Sequence, residues 1–441
     1  MATCESDFDS DCGRWSRLLV PHLEHALTAS QSYTGDEARS HVAFFSAHVT
    51  RWLGPAPAIV SPSSSSSTSS RSMVAAYPSA LTADHTPLEI SYGWKGTAPA
   101  SVRYVVDIVP PGAQATRAAS LARAGRAIDG LRALALPRGG ASTAAPGPAV
   151  PAVSAVSAPP ASAPPPLAAQ NQQQQQEQQK QYAIDLLPDL WTSVTAQLAH
   201  FEHDIHPTNR PACNSCGSSS TFVGFDLVHA RARAKLYWLL PACLPAAALL
   251  DLLDAIFARC LAHGHLTPLT GFAAHWAQVR NYLLTHGTDT LRPRMLSLDA
   301  TRYPFPRVKI YTRCYFASDE SFDVIEAHLT LRGAICLQPQ SRDQYAALWA
   351  CLMDNYRLHT LDAQRQKHRR YCMIAYDIFP APNGDDGPNS GLASKLYLFC
   401  DQMPGHDAFV ARELLGPFSA LAGFFRRYVH LPCPSLNMPV F

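Results

Sequence analysis

The sequence lacks any excess of positive charge. Lys and Arg number 36 against 34 Asp and Glu, a formal net charge of +2. The broad basic field of a nucleic-acid binder is therefore missing, and nothing global favours a membrane surface. If the chain binds an anion, it does so locally. A secretory signal is also missing: MATCESDFDSDCG is acidic and polar, with neither a basic start nor an apolar run. No stretch reads as a membrane span. The most apolar one, LYWLLPACLPAAALLDLLDAIFA from Leu236, is interrupted by Pro241, Pro245, Asp251 and Asp254, and reads as a strand end, a turn and a helix. The 12 cysteines form no compact framework, so thiols in a reducing cytoplasm are expected. DFDSD at 7–11 has no Gly or terminal Glu at EF-hand spacing, which argues against a calcium loop.

What is present is a long chain with a large apolar share. Its 441 residues are 47% hydrophobic, enough for one large domain or two to three ordinary ones. Two segments cannot bury enough apolar surface to offset their conformational entropy. One is the serine run at 61–72; the other, 138–182, is Ala/Pro-rich and then glutamine-rich, ending NQQQQQEQQKQ. Both read as loops inserted in a folded chain.

The rest repeats. Helical patterns begin at Arg14 and Asp36. A strand pair follows, PLEISYG (87–93) and SVRYVVDIV (101–109), then helical stretches from Ala115 and Ile184. A second pair is TFVGFDLV (221–228) and RAKLYWL (233–239), with helices from about Ala246 and Gly271. A third is MLSLDA (295–300) and RVKIYTR (307–313), with helices near Ser321 and Arg342. The fourth is YCMIAYDIF (371–379) and ASKLYLFC (393–400), with a helical stretch from Asp407. Three copies share a finer pattern. The first strand ends near Asp226, Asp299 or Asp377, and the second carries Lys-x-Tyr: Lys235 and Tyr237, Lys309 and Tyr311, Lys395 and Tyr397. The first copy offers Arg103, with Tyr104 on the opposite face.

Hairpins joined by helix pairs predict an antiparallel sheet, helices on one side, able to curl into a barrel. The apolar faces (Leu236, Val308, Ile310, Leu396) would meet the helices, and Arg103, Lys235, Arg307, Lys309 and Lys395 would line the lumen. Converging cations suit a pyrophosphate. Tyrosine faces each stabilise a nearby cation by roughly 0.5–2 kcal/mol. Together they suit a substrate that ionises to a diphosphate and a carbocation.

PLEIS (87–91), VRYVVDIVP (102–110), FDL…KLYWLLP (225–241), RPRMLSLDATRYPFPRVKIYTR (292–313) and KLYLFC with its following helix (395–417) together resemble the fungal aromatic prenyltransferases of the dimethylallyltryptophan synthase type. The resemblance spans most of 14–430. It implies an α/β fold, the ABBA-type prenyltransferase (PT) barrel of repeated ββαα units, formed as a single domain over 1–441. It implies transfer of a dimethylallyl group from dimethylallyl diphosphate to an indole, tryptophan-derived or related arene in secondary (alkaloid) metabolism. It implies no cofactor and no metal, and the chain has no DDxxD pattern; Asp385–Asp386 is only a pair in a Gly/Pro-rich loop. Glu89 matches the glutamate that hydrogen-bonds the indole N–H. Arg103, Lys235, Arg307, Lys309 and Lys395 match diphosphate-holding positions, and Tyr237, Tyr311 and Tyr397 match the cation-shielding tyrosines. The expected partners are the diphosphate and a small aromatic acceptor, without nucleic acid or membrane, and with a homodimer compatible.

Two departures stand beside the match. Phe222 lies about where some members carry a lysine base, and four strand pairs are legible where the family barrel has five. The alternative expectation is a shortened homologue that binds prenyl diphosphate without turning it over. A third reading is a zinc module around HFEHDIHPTNRPACNSC (200–216), with His203, His206, Cys213 and Cys216 as ligand types. Its spacing is not that of a common finger, and a loop is the preferred reading there.

Overall fold

A computed structural model of the chain describes residues 10–60, 72–74, 77–82, 85–93, 100–110, 116–134, 183–185, 188–205, 213, 216–264, 266, 269, 271–287, 291–299, 307–317, 320–337, 339–358, 370–380 and 391–398. The helical stretch expected from Asp407, the Asp385–Asp386 pair and nearly all of both low-complexity segments lie outside these residues.

Two helices lead. In α1 (Asp11–Ser30) the Ser10 side chain caps the first turn by accepting from the Gly13 N–H, and Trp15, Leu19, Leu23 and Leu27 recur on one buried face. α2 (Gly35–Phe44) opens on a reciprocal cap. The Thr34 hydroxyl accepts from the Glu37 N–H, and the Glu37 carboxylate accepts from the Thr34 N–H at 2.8 Å. A short antiparallel pair, β1 (Ala58–Val60) and β2 (Ser72–Val74), flanks the serine run. Ser72, assigned to that run by composition, is thus a strand residue, because backbone pairing is indifferent to the serine side chain.

The main elements then follow as β3 (Leu88–Gly93), β4 (Ser101–Asp107), α3 (Arg117–Arg132), β5 (Ala183–Asp185), α4 (Pro188–Ile205), β6 (Thr221–Val228) and β7 (Arg231–Leu239). Next come α5 (Ala246–Ala262), α6 (Phe272–His286), β8 (Leu291–Asp299), β9 (Arg307–Phe316), α7 (Phe322–Leu329), α8 (Pro339–Leu358), β10 (Arg370–Ile378) and β11 (Leu392–Tyr397). The helix expected from Ile184 starts instead at Pro188, where a proline without an N–H is well placed at the first helical position. Ile184 itself is in β5, which pairs parallel with β7.

Eight strands form one antiparallel sheet in the order β11-β10-β9-β8-β7-β6-β4-β3. These are the four hairpins read from the sequence; a closing fifth pair is not among the described residues. Two local features fix the register. β6 turns into β7 through His229 and Ala230 alone, with Val228 paired to Arg231. Such a tight turn needs positive φ, and His229 supplies it at φ 51 without being glycine. Its carbonyl accepts from His41 Nε2 of α2 at 2.5 Å. Burial lowers the His41 pKa to about 4, so a neutral ring holds the turn. In β8 a proline sits inside a central strand, and the register shifts between Pro293 and Met295. That bulge accommodates a residue with no ladder N–H. It also explains why the strand begins four residues before the expected Met295.

One face of the sheet is apolar and buried. Val223, Phe225, Leu236, Trp238, Val308, Ile310 and Ile374 are all fully enclosed. Two of its polar side chains reach the helices: Trp238 Nε1 donates to Thr195 of α4 at 3.0 Å, and the Tyr376 hydroxyl donates to the His328 carbonyl of α7 at 2.9 Å. Tyr104 meets Phe45 edge-on at 5.4 Å on this side. The other face is concave. Strands two apart in a flat sheet lie about 9–10 Å apart. Yet the Tyr237 ring on β7 lies 6.2 Å from that of Tyr311 on β9, and Tyr311 lies 5.6 Å from Tyr397 on β11. The sheet therefore curls toward the tyrosines.

Candidate active site

Strand alternation puts every expected site residue on the concave face. In the ladder Ser91 stands opposite Arg103 and Arg103 opposite Asp226. Gly224 faces Lys235, and Phe222 faces Tyr237. Tyr237 faces Ser297, Ser297 faces Lys309 and Lys309 faces Asp377. Directly opposed residues share a face, so one surface runs continuously from Glu89 on β3 to Tyr397 on β11.

The cations there are not bare. Lys235 donates to Asp226 Oδ2, and Arg103 Nε stands 3.3 Å from Asp226 Oδ1. Asp299 takes Arg307 and, at 3.2 Å, Lys309. Lys395 donates to Asp377 at 2.7 Å. Sequence reading recorded these aspartates as a recurrence and gave them no role. Each neutralises the lysine of its own hairpin, a charge that burial would otherwise make costly at Lys235 and Lys309. Within these ion pairs five cations share three carboxylates, an excess of two positive charges. The excess is accessible: Lys235 and Lys309 are buried, whereas Arg103, Arg307 and Lys395 keep 38–45% of their side-chain surface open.

Protonation states follow from these neighbours. Burial works against ionisation of Asp226, but Lys235 and Arg103 outweigh it and hold the carboxyl below its ordinary range. The same balance, with Lys309, Lys235 and Arg307, holds Asp299 well below. Burial lowers the Lys309 ammonium to about 8, against the pull of Asp299. Burial raises the Tyr237 and Tyr311 phenols well above their ordinary value. Both therefore present neutral rings and intact hydroxyls.

Glu89 lies on the same face, opposite Val105 and one ladder step from Arg103. Crowding by protein atoms raises its pKa, and Arg103 opposes the rise. Glu89 is nonetheless only half-buried. Phe222 is buried and has no proton-accepting atom. Gly224 permits a close approach: a Cβ there would stand 3.0 Å from the Tyr237 ring. Arg313, left without a role by the sequence, stacks over Tyr371 at 4.2 Å. Tyr371 in turn meets Tyr315 edge-on at 5.9 Å, so an aromatic and cationic patch extends the face beyond the Lys-x-Tyr rows. Among the described helices, none is long and apolar enough to cross a membrane.

The geometry agrees with what the chain is similar to. The solved structure of AnaPT from Neosartorya fischeri is matched with a TM-score of 0.55 at 15% identity, over 96% of this chain and 84% of that one. NotF prenyltransferase is matched at 0.58 and 15%, over 95% and 85%; a second NotF structure is a complex with brevianamide F and DMSPP. A 6-dimethylallyl tryptophan synthase is matched at 0.52 and 15%, over 95% and 90%. These likenesses establish the fold, a PT barrel built from an antiparallel curled sheet with helices on its convex side. No curated protein sequence matches. The sequence profile described as tryptophan dimethylallyltransferase covers residues 11–140 and 159–423, and so the chain belongs to the tryptophan dimethylallyltransferase family.

Proposed function

We propose that the concave face carries out the family's aromatic dimethylallyl transfer, with Arg103, Lys235, Arg307, Lys309 and Lys395 holding the diphosphate. The observation that carries this reading is the meeting, on one curled face, of an excess of positive charge with three tyrosine rings from alternate strands. The C–O bond of dimethylallyl diphosphate breaks, and the diphosphate leaves with the electron pair into the open heads of Arg103, Arg307 and Lys395. The allyl cation lies against Tyr237, Tyr311 and Tyr397, whose ring faces stabilise it. Glu89 accepts a hydrogen bond from the acceptor ring N–H, raising the density of the π pair that forms the new C–C bond. A base, solvent or the released diphosphate, then takes the proton from the ring carbon, and the C–H electrons restore the aromatic ring. The positive heads neutralise the departing charge without a metal. The tryptophan dimethylallyltransferase profile and the match to a 6-dimethylallyl tryptophan synthase support an indole-containing acceptor. Residues 1–441 are read as one prenyltransferase domain, acting in the cytoplasm alone or as a homodimer.

The test incubates purified protein with dimethylallyl diphosphate and a panel of indoles and tryptophan derivatives in the presence of a chelator, with mass detection of product. A prenylated arene is expected, and Glu89→Gln is expected to lower kcat by about 10²–10⁴-fold with prenyl diphosphate binding intact. Absence of product from every arene, with folded protein, would overturn the catalytic reading.

A further inference from the structure

Away from the concave face, three cysteines come together. Cys213 and Cys216 stand in the segment entering β6, and Cys243 in the turn between β7 and α5. Their sulfur atoms all lie within 4.8 Å of one another, and no disulfide joins them. The sequence CNSC accounts for the first two. The Cys216 N–H donates to the Cys213 carbonyl at 3.0 Å, which holds the two residues close. Strand pairing brings the third. The Leu239 N–H donates to the Ser220 carbonyl at 2.8 Å, so the chain leaving β7 runs beside the chain entering β6.

The backbone around the cluster is braced. Arg117 donates to the carbonyls of Ser219 at 2.7 Å and Leu239 at 2.6 Å, and Arg292 donates to the carbonyl of Leu244. Core packing does not explain the convergence, because Cys213 and Cys216 are only half-buried and Cys243 is exposed. A disulfide would use two of the three sulfurs and leave the third without purpose. Three sulfur donors from two segments are instead a soft-metal set. Thiolates on one tetrahedral zinc at about 2.3 Å stand about 3.8 Å apart, so a contraction of about 1 Å closes this one.

We propose that Cys213, Cys216 and Cys243 form a binding site for a thiophilic divalent cation, zinc foremost, with solvent completing the tetrahedron. Binding converts three thiols to thiolates and releases their protons to solvent. The ion clamps the entrance of β6 to the exit of β7 and takes no part in prenyl transfer. His203, a candidate ligand in the HxxH–CxxC reading, stays apart: it is exposed on α4 with Asp204 3.9 Å away. His206 lies outside the described residues. The third donor is Cys243, from the far side of the β6–β7 hairpin.

The test uses the full-length reduced protein, stripped with a chelator and loaded with Co²⁺. One ion per chain with an intense sulfur-to-cobalt charge-transfer band is expected, displaced by Zn²⁺. Cys216→Ser and Cys243→Ser are each expected to weaken Zn²⁺ binding tenfold or more, with circular dichroism confirming the fold. Zn²⁺ is expected to raise the Tm of the parent protein and not that of Cys243→Ser. Cys336→Ser, at an exposed cysteine elsewhere, is expected to bind as the parent does. Failure of the folded, reduced protein to take up one ion, or uptake that survives Cys243→Ser, would overturn the site.

Discussion

A lysine whose pKa is depressed makes a pH-sensitive anion ligand. Burial lowers Lys309 to about 8, and only its protonated form attracts a diphosphate. The charged fraction is one half at that value, nearly full a pH unit or more below it, and falls about tenfold per pH unit well above it. KM for dimethylallyl diphosphate is therefore expected to rise above pH about 8 in steady-state assays. In Lys309→Arg, whose guanidinium stays charged, the rise should vanish. At this scale the sequence was partly legible. Alternation alone placed Lys309 and Tyr311 on one face, because strand periodicity is two whatever the tertiary context. The ion pairs were not legible. Asp299 was visible as a recurring residue, but nothing in one dimension shows which of its neighbours a carboxylate will touch.

Among the elements, hairpins were the most readable, and their exceptions have local causes. The bulge in β8 lets a strand run through Pro293, and the β6–β7 turn sets His229 at positive φ where glycine or asparagine would be the sequence signal. The joint between α3, α4 and the sheet gave no signal at all. There Arg117 of α3 donates to Glu202 of α4 at 2.6 Å and to the Ser219 and Leu239 carbonyls, the charged pair being almost wholly buried. Removing one member strands a buried charge, which costs about 3–5 kcal/mol. Arg117→Met is expected to lose about that much in urea unfolding. Exchanging both residues for Met and Leu should recover part of it.

At the scale of the whole molecule, curvature makes the site. The tyrosines come from three different hairpins, and only the curl brings their rings within 6.2 Å. Tyr311 is the middle ring, touching the other two. Tyr311→Leu removes one ring worth roughly 0.5–2 kcal/mol to an adjacent cation, so kcat should fall about 2- to 30-fold. The share of dimethylallyl alcohol should rise in the same assay as water captures more of the cation. The four-fold succession of strands and helices was legible because each unit repeats its own periodicity. The degree of curl was not, since it depends on how the helices seat against the convex face.

The pairing of each lysine with an aspartate of its own hairpin reaches beyond chemistry. Lys235 and Asp226 are 9 residues apart, Lys309 and Asp299 10, Lys395 and Asp377 18. Each of these lysines thus has its counter-charge within reach as soon as its two strands meet, before any neighbouring hairpin docks. A segment encoding such a unit can be copied in tandem without each copy adding an orphan lysine. Local charge closure therefore makes a barrel of this kind accessible through gene duplication; the first hairpin departs from it, its Arg103 drawing on Asp226 of the next hairpin.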